Sequence, residues 1–305
     1  MIRSILFGSA QLGRVNRAAR FALRKRLLVV CYHGVCGERA DVPDAAGIHV
    51  PARRFADQLD WLAAHYRPVS LSEVVAHLLH SAKLPSRALL ITFDDGYRNL
   101  ARNAFPLLRA KGIPAALFPV TGPLSRGQWL WTSEVEWRLS RLTDGVVIKR
   151  ELKRLPADER RRRIAALEIG AAAHFASDYS LLTWDELARA VDGGLIEVGS
   201  HGVEHEPLTT CSSAQLTSEL AQSRLSLETR LQVTVTSVAY PNGDHSPSVR
   251  DAARQAGYAV GFTTGDRHHR PGDDPLQIPR ILVGAADDRT VLAARLSGWR
   301  EWLHR

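Results

Sequence analysis

The stretch that most restricts the fold is the apolar run Ala88-Leu89-Leu90-Ile91, followed by Thr92-Phe93-Asp94-Asp95-Gly96-Tyr97. The run reads as a buried strand. It ends in two adjacent carboxylates, and Gly96 lets the backbone turn sharply behind them. Successive strand residues face opposite sides. A buried strand with this ending needs a partner for at least one carboxylate, because two unpaired ones repel and are costly to desolvate. A metal ion is one partner. An acidic turn with both groups in water is the other reading, and the commoner one for an isolated Asp-Asp-Gly.

A second stretch has the same build. Leu195-Ile196-Glu197-Val198-Gly199-Ser200 reads as a strand that runs into His201-Gly202-Val203-Glu204-His205. Histidines four apart lie on one side of a helical turn, which suits two imidazoles on one cation. A lone pair at this spacing is more often surface or packing. Here both histidines follow a strand end, as the Asp pair does. Two His and one carboxylate form a common catalytic zinc set with a position open for water.

The remaining chain supplies more strands of this kind. Leu27–Tyr32 is an apolar run ending in His33-Gly34, and residues 37–50 read as a loop over the site. Helical periodicity marks Phe55–Leu62 and Leu71–Leu79, the latter behind Ser70 as N-cap. Arg98–Ala110 reads as one helix stopped by Gly112 and Pro114, and Ala115–Val120 as the next strand. Residues 122–182 form an insertion beside the site, with Trp129, Trp131 and Trp137 and a basic helix around Arg154–Arg163. These tryptophans read as packing residues ahead of sugar-stacking ones. Thr183 with Glu186, and Ser212 with Gln215, are capping boxes for helices to Val191 and Arg230. Strands are expected at Thr236–Tyr240, Ala259–Thr264 and Ile281–Val283, and helices near Ser248–Ala256 and Asp288–Leu303. About seven strands alternating with helices imply an α/β fold with a mostly parallel sheet. His33, Asp94, Asp95, His201 and Tyr240 all fall at strand C-termini, the catalytic face of a parallel barrel. Periodicity alone does not separate a barrel from an open sheet.

Composition bounds the partners. Apolar residues make up 45% of 305, enough for a sizeable core. The net charge of +8 favours anionic surfaces or nucleotide-linked sugars, while the absence of a nucleic-acid motif argues against nucleic acid. Three scattered cysteines, Cys31, Cys36 and Cys211, do not make a disulfide framework; reduced thiols fit a cytoplasmic setting. Residues 1–26 carry seven basic residues and no acid, without the ~20-residue apolar run that spans a bilayer or a secretory h-region. This segment reads either as a basic amphipathic helix on an anionic membrane, at its inner face, or as a helix packed on the domain. Residues 27–305 read as one catalytic domain.

These motifs resemble the polysaccharide deacetylases, the NodB-homology carbohydrate esterases of family 4. Thr92–Gly96 carries Thr-Phe-Asp-Asp-Gly intact. His201–His205 matches His-(Ser/Thr)-x-x-His with Gly202 in the Ser/Thr place, and Ala239-Tyr240-Pro241-Asn242-Gly243 matches Ala-Tyr-Pro-x-Gly. The resemblance spans roughly residues 27–284. It implies a distorted (β/α)7 barrel and a metal-dependent N-deacetylase acting on N-acetylated amino sugars of a polysaccharide or its lipid- or nucleotide-linked precursor. It assigns Asp95, His201 and His205 as ligands of a divalent metal, zinc first, with cobalt, nickel or manganese also suited. Asp94 is implied as the base, and the Tyr240 backbone N–H as an oxyanion donor. The family's Leu-x-His acid motif is missing. Tyr32-His33 instead resembles the circularly permuted poly-N-acetylglucosamine deacetylase branch, which makes His33 the acid. The arginine that many members place before the third motif is also missing. Arg280 is expected to replace it beside Asp94, with Asp274 orienting Arg280. His268 and His269 are expected to be solvated loop residues. Two rival readings are another C–N hydrolase, such as a deformylase or ring-amide hydrolase, and a carbohydrate-binding pseudoenzyme. Intact Asp94, Asp95, His201, His205 and His33 weigh against the second.

Overall fold

A computed structural model of the chain describes residues 13–42, 44, 46–139, 145–166, 177–299 and 301. Its strands are β1 (Leu28–Tyr32), β2 (Gly34–Cys36), β3 (His49–Pro51), β4 (Arg67–Pro68), β5 (Ala88–Asp95), β6 (Ala115–Pro119), β7 (Ile196–Val198), β8 (Ser237–Ala239), β9 (Val260–Thr264) and β10 (Ile278–Leu282). Around the sheet the order is β7-β6-β5-β1-β10-β9-β8, with parallel pairing throughout. The ring closes through one residue beyond β7. Ser200 bridges to Val238, its N–H donating to Ser237 O (2.9 Å) and its carbonyl accepting from Ala239 N–H (2.8 Å). The result is a nearly closed, distorted (β/α)7 barrel. β4 pairs with the start of β5, while β2 and β3 form a separate parallel pair.

Strand alternation builds the barrel interior. Val29, Leu90, Ala116, Val260 and Ile278 pack in one buried cluster with Phe118 and Phe262, whose rings meet edge-on at 5.3 Å. Gly199 has no side chain because a Cβ there would lie 2.2 Å from the Phe118 ring. The alternate residues Leu28, Val30, Leu89, Ile91 and Leu117 belong to the larger core between barrel and helices. Two steps further along the inner rows come Cys31 and His33 on one side, Thr92 and Asp94 on the next, and Arg280 on β10. Polar chemistry therefore sits on top of an aromatic plug.

Both expected capping boxes form, at Thr183–Glu186 and Ser212–Gln215, and the expected N-cap Ser70 makes a third with Glu73. The single helix expected over Arg98–Ala110 is two, Asn99–Asn103 and Phe105–Lys111. Pro106 lies in the first turn of the second and has no N–H for the preceding turn. The last barrel strand starts at Ile278, earlier than the apolar triplet suggests. Residues 13–22 are helical; Asn16, Ala19 and the following Leu23 are buried, and Ser297 Oγ, after helix Arg289–Leu296, donates to Asn16 Oδ1 at 2.9 Å. Residues 1–12, which begin the basic segment, and His304 lie outside the described residues. No described helix is long and apolar enough to cross a membrane.

The insertion contains helices Thr121–Arg126, Trp131–Leu139, Gly145–Lys153 and Ala157–Ala166. The basic stretch is broken at Pro156, and buried Arg160 in the last helix pairs with Glu206 and lies 4.6 Å over the Trp131 ring. Trp129 packs edge-on against Trp137 and Tyr179. Trp129, Trp131 and Trp137 are half-buried, and none lines the pocket described next.

Candidate active site

The inner rows end in a pocket of about 290 Å³ whose wall includes His33, Asp94, Asp95, His201 and His205. β5 places both carboxylates. Asp94 keeps the strand's inward direction. Asp95 has φ 70°, which breaks the alternation, and Gly96 follows at φ 86°. A left-handed non-glycine residue is sparsely populated, and here it brings two adjacent carboxylates onto one rim.

Asp94 is held by an ion pair that is almost completely buried. Arg280 donates from Nη1 to Oδ1 (2.6 Å) and from Nη2 to Oδ2 (2.7 Å). The guanidinium lies 5.6 Å from the Phe118 ring and 5.8 Å from that of Phe262. It also donates to Thr92 Oγ1 (3.2 Å) and Thr263 O (3.3 Å), and the Cys31 thiol donates to Asp94 Oδ2 (3.3 Å). Burial pushes the Asp94 carboxyl up, but Arg280, then His201 and His33, outweigh it and hold it well below the usual carboxylate range. The orienting role expected of Asp274 is corrected. Its carboxylate caps the short turn Pro275–Gln277 through Leu276 N–H (2.9 Å) and pairs with Arg250.

Asp95 has the opposite electrostatics. Burial and the neighbouring Asp94 charge push it up to about 7. Its Oδ1 is buried and has no hydrogen-bond donor, yet lies 3.4 Å from His205 Nε2 and 3.6 Å from His201 Nε2. His201 Nδ1–H donates to Ala239 O (2.7 Å), which leaves Nε2 as the lone-pair nitrogen facing Asp95. Burial lowers both histidines, so they are neutral. Three buried donor atoms, two imidazole nitrogens and an orphaned carboxylate oxygen, converge within 4.8 Å of one another. This set fits a divalent ion, which would supply the missing partner of Asp95.

The turn between the two histidines explains Gly202. Its φ is 82°, and a Cβ there would meet Glu219 Oε2 at 2.8 Å. That carboxylate, reached from helix Ser213–Leu231, accepts from Val203 N–H (2.8 Å) and Glu204 N–H (3.0 Å). Trp131 Nε1–H donates to His205 O (3.0 Å), tying the insertion to the same turn. Nothing local in the sequence marks Glu219 or Trp131 as supports.

His33 follows β1 and faces Asp94 and His201. Desolvation lowers it to about 4 against the opposing pull of Asp94, so it is neutral at rest. Tyr240 is placed otherwise than expected. Its N–H donates to Phe262 O (3.0 Å) in the sheet and its hydroxyl to Leu276 O (3.0 Å). The amide is therefore spent on barrel pairing, and the motif reaches the pocket through Asn242 and Gly243 instead. The expected solvated loop at His268 and His269 is also corrected. Both are buried, and His268 lies against Glu301, which accepts from its N–H (3.1 Å). Lys149, Lys153 and Glu136 of the insertion line the pocket and were not singled out from the sequence.

Residues 81–261 match the family model described as Polysaccharide deacetylase. The chain belongs to the polysaccharide deacetylase family. It is similar to YxkH of Bacillus subtilis (strain 168), which bears a polysaccharide deacetylase name, at 22% identity over 78% of this chain and 64% of that one. The chain thus spans under two thirds of that relative. It is 23% identical to the poly-beta-1,6-N-acetyl-D-glucosamine N-deacetylase of Staphylococcus aureus (strain MSSA476), over 83% of this chain and 73% of the other. Two solved structures share the fold. The Streptococcus pyogenes deacetylase PplD has a TM-score of 0.65 at 18% identity, over 89% of this chain and 98% of its own. IcaB from Ammonifex degensii has 0.64 at 23%, over 90% and 97%. Polysaccharide deacetylases depend on a divalent metal, in keeping with the Asp95, His201 and His205 cluster.

Proposed function

We propose that this chain is a divalent-metal-dependent hydrolase that removes acetyl groups from N-acetylated amino sugars of a polysaccharide or of its lipid- or nucleotide-linked precursor. The observation that carries the reading is the division of labour between two adjacent carboxylates. Arg280 keeps Asp94 ionised, while Asp95 joins two neutral histidines in a set short of one cation. The poly-N-acetylglucosamine N-deacetylase name of a relative supports the substrate class.

Asp95, His201 and His205 would hold the ion, and zinc suits their donor set. When bound, it supplies Lewis acidity toward the acyl carbonyl and the attacking water. Asp94, fixed by the Arg280 fork, accepts the proton that water loses. His33, on the same rim, delivers a proton to the leaving nitrogen; it is neutral at rest and must gain that proton during turnover, with the Asp94 charge favouring its imidazolium form. Water thus adds its oxygen to the acyl carbon, the C–N bond breaks, and acetate and a free amine leave.

The test is acetate release from N-acetylglucosamine oligomers and carrier-linked N-acetyl sugars by zinc-loaded protein. Wild type should release stoichiometric acetate. Asp94→Asn and His33→Asn should each lower kcat by roughly 10²–10⁴-fold with metal content unchanged. Wild type that releases none from the whole panel would sink the reading.

A further inference from the structure

The turn after β8 brings to the pocket a donor that the chemistry above leaves unused. Asn242 lines the pocket beside His201 and His205 and holds φ 59°, a left-handed backbone that Asn tolerates better than most side chains. Its Oδ1 accepts a hydrogen bond from the Lys153 ammonium at the end of the insertion helix Gly145–Lys153. That contact fixes the amide so that Nδ2 is the free end. Nδ2 is buried and has no hydrogen-bond partner. Buried amide N–H groups are nearly always paired, so an unpaired one on a residue that lines a pocket marks a place for an incoming acceptor.

Several other donors on this wall have partners. Lys149 donates to Glu136 (2.5 Å), the Tyr97 and Ser133 hydroxyls bond each other (3.0 Å), and Arg280 is spent on Asp94. The Tyr240 N–H serves the sheet. Lys153 also decides what Asn242 prefers. An ammonium on Oδ1 polarises the amide and strengthens the N–H at its other end. It also places a positive charge one amide away from whatever Nδ2 touches. A sugar hydroxyl gains little from that field, whereas an oxygen gathering negative charge gains most.

We propose that Asn242, polarised by Lys153, donates through Nδ2 to the acyl oxygen of the substrate as negative charge builds on it. This assigns Lys153 as a positioning residue and makes the insertion part of the catalytic apparatus. It rests on the deacetylase reading above.

The decisive variant is Asn242→Asp. It keeps size and the Lys153 contact, tolerates the left-handed backbone, and replaces the N–H by an oxygen. Zinc-loaded N242D should lose roughly 10²–10³-fold in kcat for acetate release from N-acetylglucosamine oligomers, with KM, zinc content and melting close to wild type. Affinity for a phosphonamidate analogue of the tetrahedral species should fall by a similar factor, while affinity for the deacetylated product stays constant. Lys153→Met tests the pair without touching the turn. It should cost about tenfold in kcat, and the double variant should be no worse than N242D alone, as for two residues acting as one unit. Unchanged kcat in N242D, an effect confined to KM, or additive losses would overturn the inference. Wild type inactive on every substrate would instead remove the deacetylase reading and this inference with it.

Discussion

Arg280→Met should remove the cation that keeps Asp94 ionised. Arg280 is fully buried and serves both Asp94 oxygens. Without it a carboxylate remains beside Phe118 and Phe262, and the Cys31 thiol at 3.3 Å is a poor substitute. Removing one partner of a buried ion pair costs roughly 3–5 kcal/mol. At about 2–4 °C per kcal/mol for a domain near this size, the melting temperature should fall by roughly 6–20 °C. The pH dependence should change sign. In the wild type the folded-state pKa of Asp94 lies below the unfolded value of about 3.9. Its ionisation therefore stabilises the fold above that value, and the contribution is lost only as pH falls through the folded pKa. In the variant burial prevails, the folded pKa rises above the unfolded one, and the ionised group destabilises the fold at neutral pH. The stability gap between the two proteins should narrow as pH is lowered from about 7 toward 4. Denaturant unfolding across that range, alongside acetate release, measures both effects. Arg280→Met with Asp94→Asn should recover most of the lost stability, because no lone charge is left, but no activity. An R280M protein within about 1 kcal/mol of wild type at neutral pH, the size of an ordinary substitution, would refute the reasoning.

His205→Ala should lose most bound zinc on reloading, read by elemental analysis; full occupancy would remove His205 from the ligand set. Gly202→Ser, which restores the residue type of the family motif, should destabilise this chain by about 1–3 kcal/mol in denaturant melts, since φ is 82° and Glu219 stands in the way. Deletion of residues 1–26 should weaken binding to anionic vesicles in a salt-dependent way, and equal sedimentation of both forms would reject a membrane role.

What was legible in the sequence was local. Capping boxes at Ser70, Thr183 and Ser212 are written within four residues, and the apolar runs of β1, β5, β6 and β9 need no partner to be read as strands. β10 was read late because Pro279 lacks an N–H and suggests a break, yet it pairs with Thr263. β2 and β3 were missed because a three-residue strand is defined by its partner and not by its own residues. The same divide runs through the site. Asp94, Asp95, His201 and His205 sit in contiguous motifs, whereas the Lys153 contact to Asn242 spans 89 positions and Glu219 reaches back 16 to Val203. His268 and His269 looked solvated because Glu301, which covers His268, lies 33 residues on. The third motif points to Tyr240, and only the sheet shows that its amide is already paired. The Pro-Asn-Gly turn was the available clue, since Asn before Gly readily adopts a left-handed backbone.

The seam between β7 and β8 has one further consequence. Among the described residues the backbone pairing there is that of Ser200, and the next residue is His201. One nitrogen of that imidazole grips Ala239 on β8, and the other faces Asp95 at the end of β5. An ion held between Asp95 and His201 would therefore act as a rivet across this seam. Loading a metal and tightening the wall would then be one mechanical event. Hydrogen exchange at the Ser200 and Ala239 amides should slow when zinc is added and quicken under chelation, while the amides of β1 and β5, deep in the ring, keep their protection.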